Sequence, residues 1–242
     1  MALTAWLRER AITAGCRVLS VVSRPWNRPP RQAAPPRRIL VLRPCCLGDV
    51  LLTTPLLAAL AALYPDAELV YAVGQHSAAA LAQNPHVDRL LSLPDRPTRA
   101  DWNTIARRLR RERFDLAVLP LRTPLAPLAA RRAGILRRVG LDSAGRGFAL
   151  TDRVPVRGAR HETDLALDLA RALGGEPEQR RLYYGPSADA QMRVVSLLVE
   201  HDARRPYFII HPGGGVNPGV TMDAKRWPPE RFGQVADALI AR

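Results

Sequence analysis

Residues 38–73 read RILVLRPCCLGDVLLTTPLLAALAALYPDAELVYAV and carry the clearest indication of the fold. This stretch opens with an uninterrupted apolar run at 39–42, which is expected of a strand buried on both faces of a parallel sheet. A helical pattern follows over 50–63, and a second apolar run occupies 67–73. This order predicts a strand, a crossover helix and a parallel strand.

The same alternation continues along the chain. After residue 73 the patterns predict a short helix at 76–83, an apolar stretch at 87–93, a helix at 102–112, a strand at 114–119, a helix at 124–133, a strand at 135–140 and helices at 160–174 and 187–201. Alternating strands and helices predict an α/β fold with a Rossmann-like, doubly wound parallel sheet.

A second unit is predicted near the end of the chain. YFIIH at 207–211 resembles a new strand, followed by a glycine-rich turn and a helix that opens at Pro228. These elements resemble the first βα unit of a second Rossmann-like domain. One strand and one helix do not bury both faces of a parallel sheet, so we expect this domain to be incomplete.

We therefore expect four segments. They are a basic amphipathic helix at 1–24, a proline-rich linker at 25–37, an acceptor-type Rossmann-like domain at 38–203 and the start of a second domain at 204–242. In the first segment, apolar residues recur at steps of three and four, namely Leu3, Leu7, Ala11, Ala14, Val18 and Val22. This stripe fits a helix lying on an anionic bilayer surface or one packed on the domain, and the pattern leaves both open.

Composition describes a globular, strongly basic protein. Hydrophobic residues make up 47% and charged residues 24%, while the net charge is +14 and the pI is about 11.2. Such a charge favours anionic partners. Nucleic acid is disfavoured among them, because aromatic residues are only 5% and no motif of a nucleic-acid module is present.

The three cysteines point away from a metal site. Cys45 and Cys46 are adjacent, a poor geometry for a disulfide, and neither they nor Cys16 have the spacing of a zinc site. We therefore expect no metal, free thiols and a reducing compartment.

The first loop, RPCCLGDV at 43–50, lies between the first strand and the first helix, where open α/β sheets bind ligands. It contains neither GxGxxG nor a P-loop motif. Gly48 allows close backbone approach. Asp49 is either a plain helix N-cap or a carboxylate that takes a proton from a substrate hydroxyl.

A second glycine-rich loop spans 211–228, between the predicted strand and helix of the second unit. Its backbone N–H groups and the helix N-terminus would suit a diphosphate. Thr221 adds a hydroxyl, and Lys225, the only lysine of the chain, adds an ammonium group. The alternative is a flexible turn between domains.

Arg122 follows the strand predicted at 114–119 and is placed to face a cleft, whereas most other arginines are expected only to increase solubility.

Collinear matches across 38–242 resemble glycosyltransferase family 9, the ADP-heptose:lipopolysaccharide heptosyltransferases. The segments that carry the resemblance are Gly48-Asp49 with Pro55, YPDA at 64–67, RVGLDSAGRGFALTDRVPV at 138–156, RHETDLALDLARALG at 160–174, HPGGG at 211–215 and KRWPPERF at 225–232. The resemblance implies a GT-B architecture of two Rossmann-like domains. It also implies transfer of a heptose or related sugar from a nucleotide sugar to a lipopolysaccharide core or similar glycolipid, with inversion and without a metal.

The resemblance implies the roles of Asp49, Thr221 and Lys225, and the loop positions described above add the other site residues. Asp49 would be the catalytic base, and Arg43, Gly48 and Arg122 would contact the acceptor. The donor phosphates would be bound by Gly213, Gly214, Thr221 and Lys225. No cofactor is implied beyond the donor, ADP-heptose or another nucleotide sugar. The enzyme would be cytoplasmic, with peripheral contact to the inner membrane left open. The alternative is a truncated, non-catalytic module that binds an anionic glycolipid or a partner protein.

Overall fold

The computed structural model describes residues 2–29, 34–177, 180–203, 207–212 and 226–241. The chain divides into two compact units, Met1–Gly185 and Pro186–Arg242. The first unit contains a six-stranded parallel sheet, and the second contains two helices among its described residues.

The sheet of the first unit has the strand order β3-β2-β1-β4-β5-β6. Its strands are β1 (Arg38–Leu42), β2 (Glu68–Gly74), β3 (Arg89–Leu93), β4 (Leu116–Leu119), β5 (Arg137–Asp142) and β6 (Asp152–Pro155). Every neighbouring pair is parallel. The order reverses between β1 and β4, which is the switch point of a doubly wound sheet. The predicted fold class is therefore confirmed.

Helices cover both faces of this sheet. The helices of the first unit are α1 (Ala2–Val22), α2 (Leu47–Leu51), α3 (Thr54–Leu63), α4 (Arg99–Glu112), α5 (Leu125–Arg132) and α6 (Glu162–Ala172). Alternate residues of β1 point to opposite faces: Ile39 and Val41 pack with α3 and α6, whereas Leu40 and Leu42 pack with α4 and α5. Burial on both faces explains why the strand sequence is apolar throughout.

The helix predicted over 50–63 is two helices. Proline has no N–H to donate within a helix, and Pro55 is accommodated because it lies in the first turn of α3. Two hydroxyls satisfy carbonyls of α2 at the break: Thr53 donates to the Val50 carbonyl at 2.7 Å, and Thr54 donates to the Leu51 carbonyl at 2.8 Å. The break makes α2 a short, separate element directly after β1.

Helix α1 packs on the connection between β5 and β6. The Arg153 guanidinium donates to the Ser20 carbonyl at 2.8 Å, and Arg146 forms an ion pair with Glu9. Gly145 has φ +80°, and a Cβ there would lie 2.8 Å from the Cys16 carbonyl oxygen. Only glycine permits this close approach of the loop to the helix.

Two expectations about local structure are wrong, and one strand was not predicted. Cys45 and Cys46 form a disulfide, with their Cα atoms 3.1 Å apart, so these thiols are not free. Residues 207–212 contain no regular secondary structure, because the apolar run at 207–211 has no neighbouring strand among the described residues. Strand β6 was not anticipated, since its sequence DRVP is short and lacks an apolar run.

The second unit contains α7 (Ala188–Glu200) and α8 (Pro229–Ile240). Ser187 caps α7 by accepting a hydrogen bond from the Ala190 N–H. Neither helix has a buried residue. Across the described parts of the chain, no helix is long and apolar enough to span a membrane.

An ionic cluster joins the amino ends of β1, β2 and β3 to the end of α4. Arg38 pairs with Glu68 at 2.7 Å, and Arg89 pairs with Glu112 at 2.6 Å and with Glu68 at 3.2 Å. The hydrogen bond from Arg38, together with that from Arg89, lowers the pKa of Glu68 below its ordinary value of 4.5.

This cluster predicts a loss of stability in acid. A carboxylate whose pKa is lower in the folded state stabilises the protein above its unfolded pKa, and this stabilisation is lost as the pH falls from about 4.5 through the folded pKa. We expect Glu68→Gln to reduce the free energy of unfolding at pH 6 by about 1 kcal/mol or less, because the pair is partly exposed. Urea unfolding between pH 6 and 3 should show a shallower decline in Glu68→Gln than in wild type. Glu176→Gln, an exposed control, should follow wild type, and an unchanged slope in Glu68→Gln would contradict the assignment.

Candidate functional site

The first loop places Asp49 at the carboxyl edge of the sheet, beside the switch point. β1 ends at Leu42, the loop passes through Arg43 to Cys46, and α2 begins at Leu47. Asp49 lies in the first turn of α2, and the N-cap is Cys46. Because Cys46 is the N-cap, the interpretation of Asp49 as a plain N-cap is wrong. The Asp49 carboxylate pairs with Arg43 instead.

Arg43 holds the Asp49 carboxylate. Its Nη2 lies 2.6 Å from Asp49 Oδ2, and its Nη1 donates to the Pro120 carbonyl in the loop after β4. The Arg43 side chain is only 13% exposed, whereas that of Asp49 is 39% exposed. One guanidinium thus links the loops after β1 and β4 and fixes one carboxylate oxygen. Within the described residues, Asp49 Oδ1 has no hydrogen-bond partner.

Beneath this pair lies a buried hydroxyl pair that sequence reasoning did not single out. The Tyr71 hydroxyl on β2 is 2.8 Å from Thr53 Oγ1. Because Thr53 donates its proton to the Val50 carbonyl, Tyr71 is the donor of this bond. Burial raises the pKa of Tyr71 to about 12, so its hydroxyl stays protonated and serves as a fixed support under the loop. The only signal in the sequence was a tyrosine in an otherwise apolar strand.

Gly48 lies beside Asp49 and leaves its surroundings open. A Cβ placed there would meet no atom within 4 Å among the described residues. The position is thus compatible with close approach of a ligand to the backbone, although nothing in its immediate packing requires glycine.

Arg122 lies in the loop after β4, two residues beyond the carbonyl that accepts from Arg43. Its guanidinium forms an ion pair with Glu162 in the first turn of α6, and both side chains are partly exposed. The structure thus brings Arg43, in the loop after β1, together with Gly48 and Asp49 in the first turn of α2, and places Arg122 in the loop after β4 at the same edge. Its partner Glu162 was not anticipated.

The structure does not describe the four donor-site candidates. Gly213, Gly214, Thr221 and Lys225 are all outside the described residues. No group of three or more histidine, cysteine or acidic side chains that could hold a metal ion occurs in the parts of the chain that the structure describes.

An open cavity of about 1030 Å³ lies at the opposite, amino edge of the sheet. Its walls include Arg37, Arg113 and Arg137, together with Tyr64 and Asp115. None of the candidate site residues that the structure describes lines it. We therefore assign the candidate site to the carboxyl edge, where Asp49 is held and where doubly wound sheets bind ligands.

Known proteins resemble this chain in sequence and in fold. The chain is 24% identical over 206 residues to lipopolysaccharide heptosyltransferase 3 of Escherichia coli, covering 81% of this chain and 58% of that protein. Its fold matches a family 9 glycosyltransferase of Veillonella parvula with a TM-score of 0.69 and 22% identity, covering 84% of this chain and 59% of the other. The chain is similar to the family 9 glycosyltransferases. The resemblance expected from the sequence is thereby confirmed.

Two further heptosyltransferase structures share the fold. E. coli ADP-heptose lipopolysaccharide heptosyltransferase II matches with a TM-score of 0.57 and 21% identity, over 84% of this chain and 61% of that one. E. coli heptosyltransferase WaaC with ADP matches with a TM-score of 0.51 and 16% identity, over 61% of this chain and 50% of that one. No family model matches the sequence. The chain spans between half and three fifths of the length of these relatives.

Proposed function

We propose that this chain is a glycosyltransferase that moves a heptose or a related sugar from a nucleotide sugar to a lipopolysaccharide core or a similar cell-envelope glycolipid. The observation that carries the proposal is the Asp49 carboxylate at the switch point, held through one oxygen by Arg43. The similarity to heptosyltransferases supports the choice of sugar and acceptor.

Asp49 would act as the general base. An acceptor hydroxyl hydrogen-bonded to Oδ1 would lose its proton as its oxygen attacks the anomeric carbon, while the nucleoside diphosphate leaves from the opposite side of the sugar. A single displacement of this kind inverts the anomeric configuration. Arg43 is a positioning residue in this scheme, because it orients the carboxylate without touching the reacting atoms.

The leaving diphosphate would be stabilised by the second loop. In the proposal, the backbone of Gly213 and Gly214, the Thr221 hydroxyl and the Lys225 ammonium neutralise its charge without a metal ion. Arg43, Gly48 and Arg122 would contact the acceptor, whose phosphate and carboxylate groups suit a chain of net charge +14. A nucleotide-sugar donor places the reaction in the cytoplasm in this proposal.

The proposal is tested by measuring nucleotide release. The chain is incubated with ADP-heptose, or with other nucleotide sugars, in the presence and absence of lipopolysaccharide that lacks its outer core. We expect ADP release that requires the acceptor and continues in EDTA. Release that is independent of acceptor with every donor, or no release with any pair, would contradict the proposal.

The positioning role of Arg43 gives a separate prediction. Lysine presents one compact ammonium, which does not reach both the Pro120 carbonyl and Asp49 Oδ2 as the two guanidinium nitrogens do. We expect Arg43→Lys to lower kcat about ten- to a hundredfold with a smaller change in KM for the donor. Arg111→Lys, on the exposed surface of α4, should retain wild-type kinetics. An unchanged kcat in Arg43→Lys would refute the positioning role.

A further inference from the structure

Helix α1 is attached to the domain by its polar side. The residues that face the domain recur at steps of four and three and are small or polar: Glu9, Thr13, Cys16, Ser20 and Ser23. Arg146 binds Glu9 and Thr13, Arg153 binds Ser20, and Ser23 donates to the Phe148 carbonyl at 2.7 Å. Hydrogen bonds and one ion pair therefore fix the inner side of the helix to the domain.

The apolar stripe of α1 points away from the domain. Val18 is 63% exposed, Leu7 and Val22 are each 53% exposed, and Ala11 and Ala14 between them are also exposed. Two residues along a helix correspond to slightly more than half a turn. Val18 is two residues from both Cys16 and Ser20, so it lies on the side of the helix opposite the residues that face the domain. In a helix that only stabilises a soluble domain, the apolar stripe is expected to face the core. Here the orientation is reversed.

Basic and aromatic side chains flank this outward stripe. Arg10 and Arg17 are exposed on one side of it, and the Arg10 guanidinium lies 4.5 Å from the centre of the Trp6 ring. Trp26, in the turn after α1, is exposed between the exposed arginines Arg24 and Arg28. The single acid of the helix, Glu9, is neutralised by Arg146 on the inner side. The exposed face of α1 is therefore apolar and cationic.

From this arrangement we infer that α1 docks the protein on an anionic lipid bilayer, lying in the plane of the surface with Leu7, Val18 and Val22 toward the acyl chains. Arginines beside an apolar stripe complement anionic headgroups, and tryptophan favours the interface. The polar inner face lets the helix stay attached to the domain while its apolar face enters the lipid. This docking is a property beyond the proposed transfer reaction and does not depend on it.

The test is co-sedimentation of the full chain with vesicles. We expect binding to vesicles of phosphatidylethanolamine with 30% phosphatidylglycerol in ~0.1 M salt, and much weaker binding to pure phosphatidylcholine. The double variant Val18→Asp/Val22→Asp should weaken partitioning about tenfold or more, because it places charge where apolar side chains enter the lipid. The control Leu136→Asp changes a leucine outside α1 that is 71% exposed, more than either valine, and should bind as wild type does.

A second pair of variants tests the charge. Arg10→Gln/Arg17→Gln should weaken partitioning to anionic vesicles about thirtyfold, whereas Arg107→Gln/Arg111→Gln on α4 should have little effect. All variants change exposed positions, and their unfolding midpoints should equal that of wild type. Transfer to a water-soluble acceptor should also be unchanged in Val18→Asp/Val22→Asp, which separates failure of docking from failure of the proposed function.

Two outcomes would overturn the inference. The first is absence of binding by wild type, or equal binding by wild type and Val18→Asp/Val22→Asp. The second is a concentration-dependent dimer, in the absence of vesicles, that Val18→Asp/Val22→Asp abolishes while wild type ignores lipid. That result would assign the outward stripe to a second copy of the chain.

Discussion

Replacing Asp49 with asparagine is expected to lower turnover about a hundred- to ten-thousandfold. Asparagine keeps the size of the side chain and one oxygen for Arg43, but it does not accept a proton from the acceptor hydroxyl. Because the Asp49 side chain is 39% exposed and caps no helix, the unfolding midpoint should change little. Binding of the nucleotide sugar should also be retained, since the proposed donor groups lie in a different loop.

The measurement is the initial rate of sugar transfer at saturating donor and acceptor. Asp66→Asn is the matched control, because Asp66 is exposed in the turn between α3 and β2 at the opposite edge of the sheet. We expect Asp66→Asn to retain the wild-type rate. Turnover in Asp49→Asn within about threefold of wild type would remove Asp49 from the role of general base, given the range expected for such catalysis.

Arg138 is expected to be the most sensitive arginine for stability. It is 6% exposed, and burial lowers its pKa to about 10, so it remains a cation at neutral pH. Its guanidinium donates to the carbonyls of Ile135, Leu136 and Ala149 and to Asn27 Oδ1. It therefore joins the strand β5, the loop that leads to β6 and the segment after α1.

Arg138→Met should lower the free energy of unfolding by about 2–4 kcal/mol. Methionine fills a similar length but leaves several buried acceptors without a donor, and each such loss costs about 1–3 kcal/mol before relaxation. Urea unfolding followed by circular dichroism measures the effect. The neighbouring Arg137→Met is the control, because Arg137 makes a partly exposed ion pair with Asp152 and should cost about 1 kcal/mol or less. Equal effects of the two substitutions would contradict the role of Arg138.

The sequence predicted the central strands well for a physical reason. β1, β2 and β4 are buried on both faces, so their sequences are continuous apolar runs that burial in a parallel sheet requires. Among the described strands β6 pairs with β5 alone, and its sequence is short and polar, so no such run marks it. The run at 207–211 has the composition of a strand, but strand formation also needs a paired neighbour, which composition does not report.

The site was predicted in part. The position of Asp49 after the first strand followed from the pattern, but its contact with Arg43 and the Pro120 carbonyl depends on how two loops meet at the switch point. Arginines are numerous in this chain, and nothing in the sequence separates the buried Arg138 from those that are solvated. The orientation of α1 was likewise left open, because a periodic stripe shows which residues share a face and not which way that face points.

Mass spectrometry of the acceptor tests directly whether this chain transfers the proposed sugar with Asp49 as the base. Acceptor glycolipid is incubated with ADP-heptose and either wild type or Asp49→Asn, and the mass and anomeric configuration of the product are determined. The account predicts one added heptose of inverted configuration with wild type and almost none with Asp49→Asn. An unmodified acceptor with wild type, or a product of retained configuration, would contradict it.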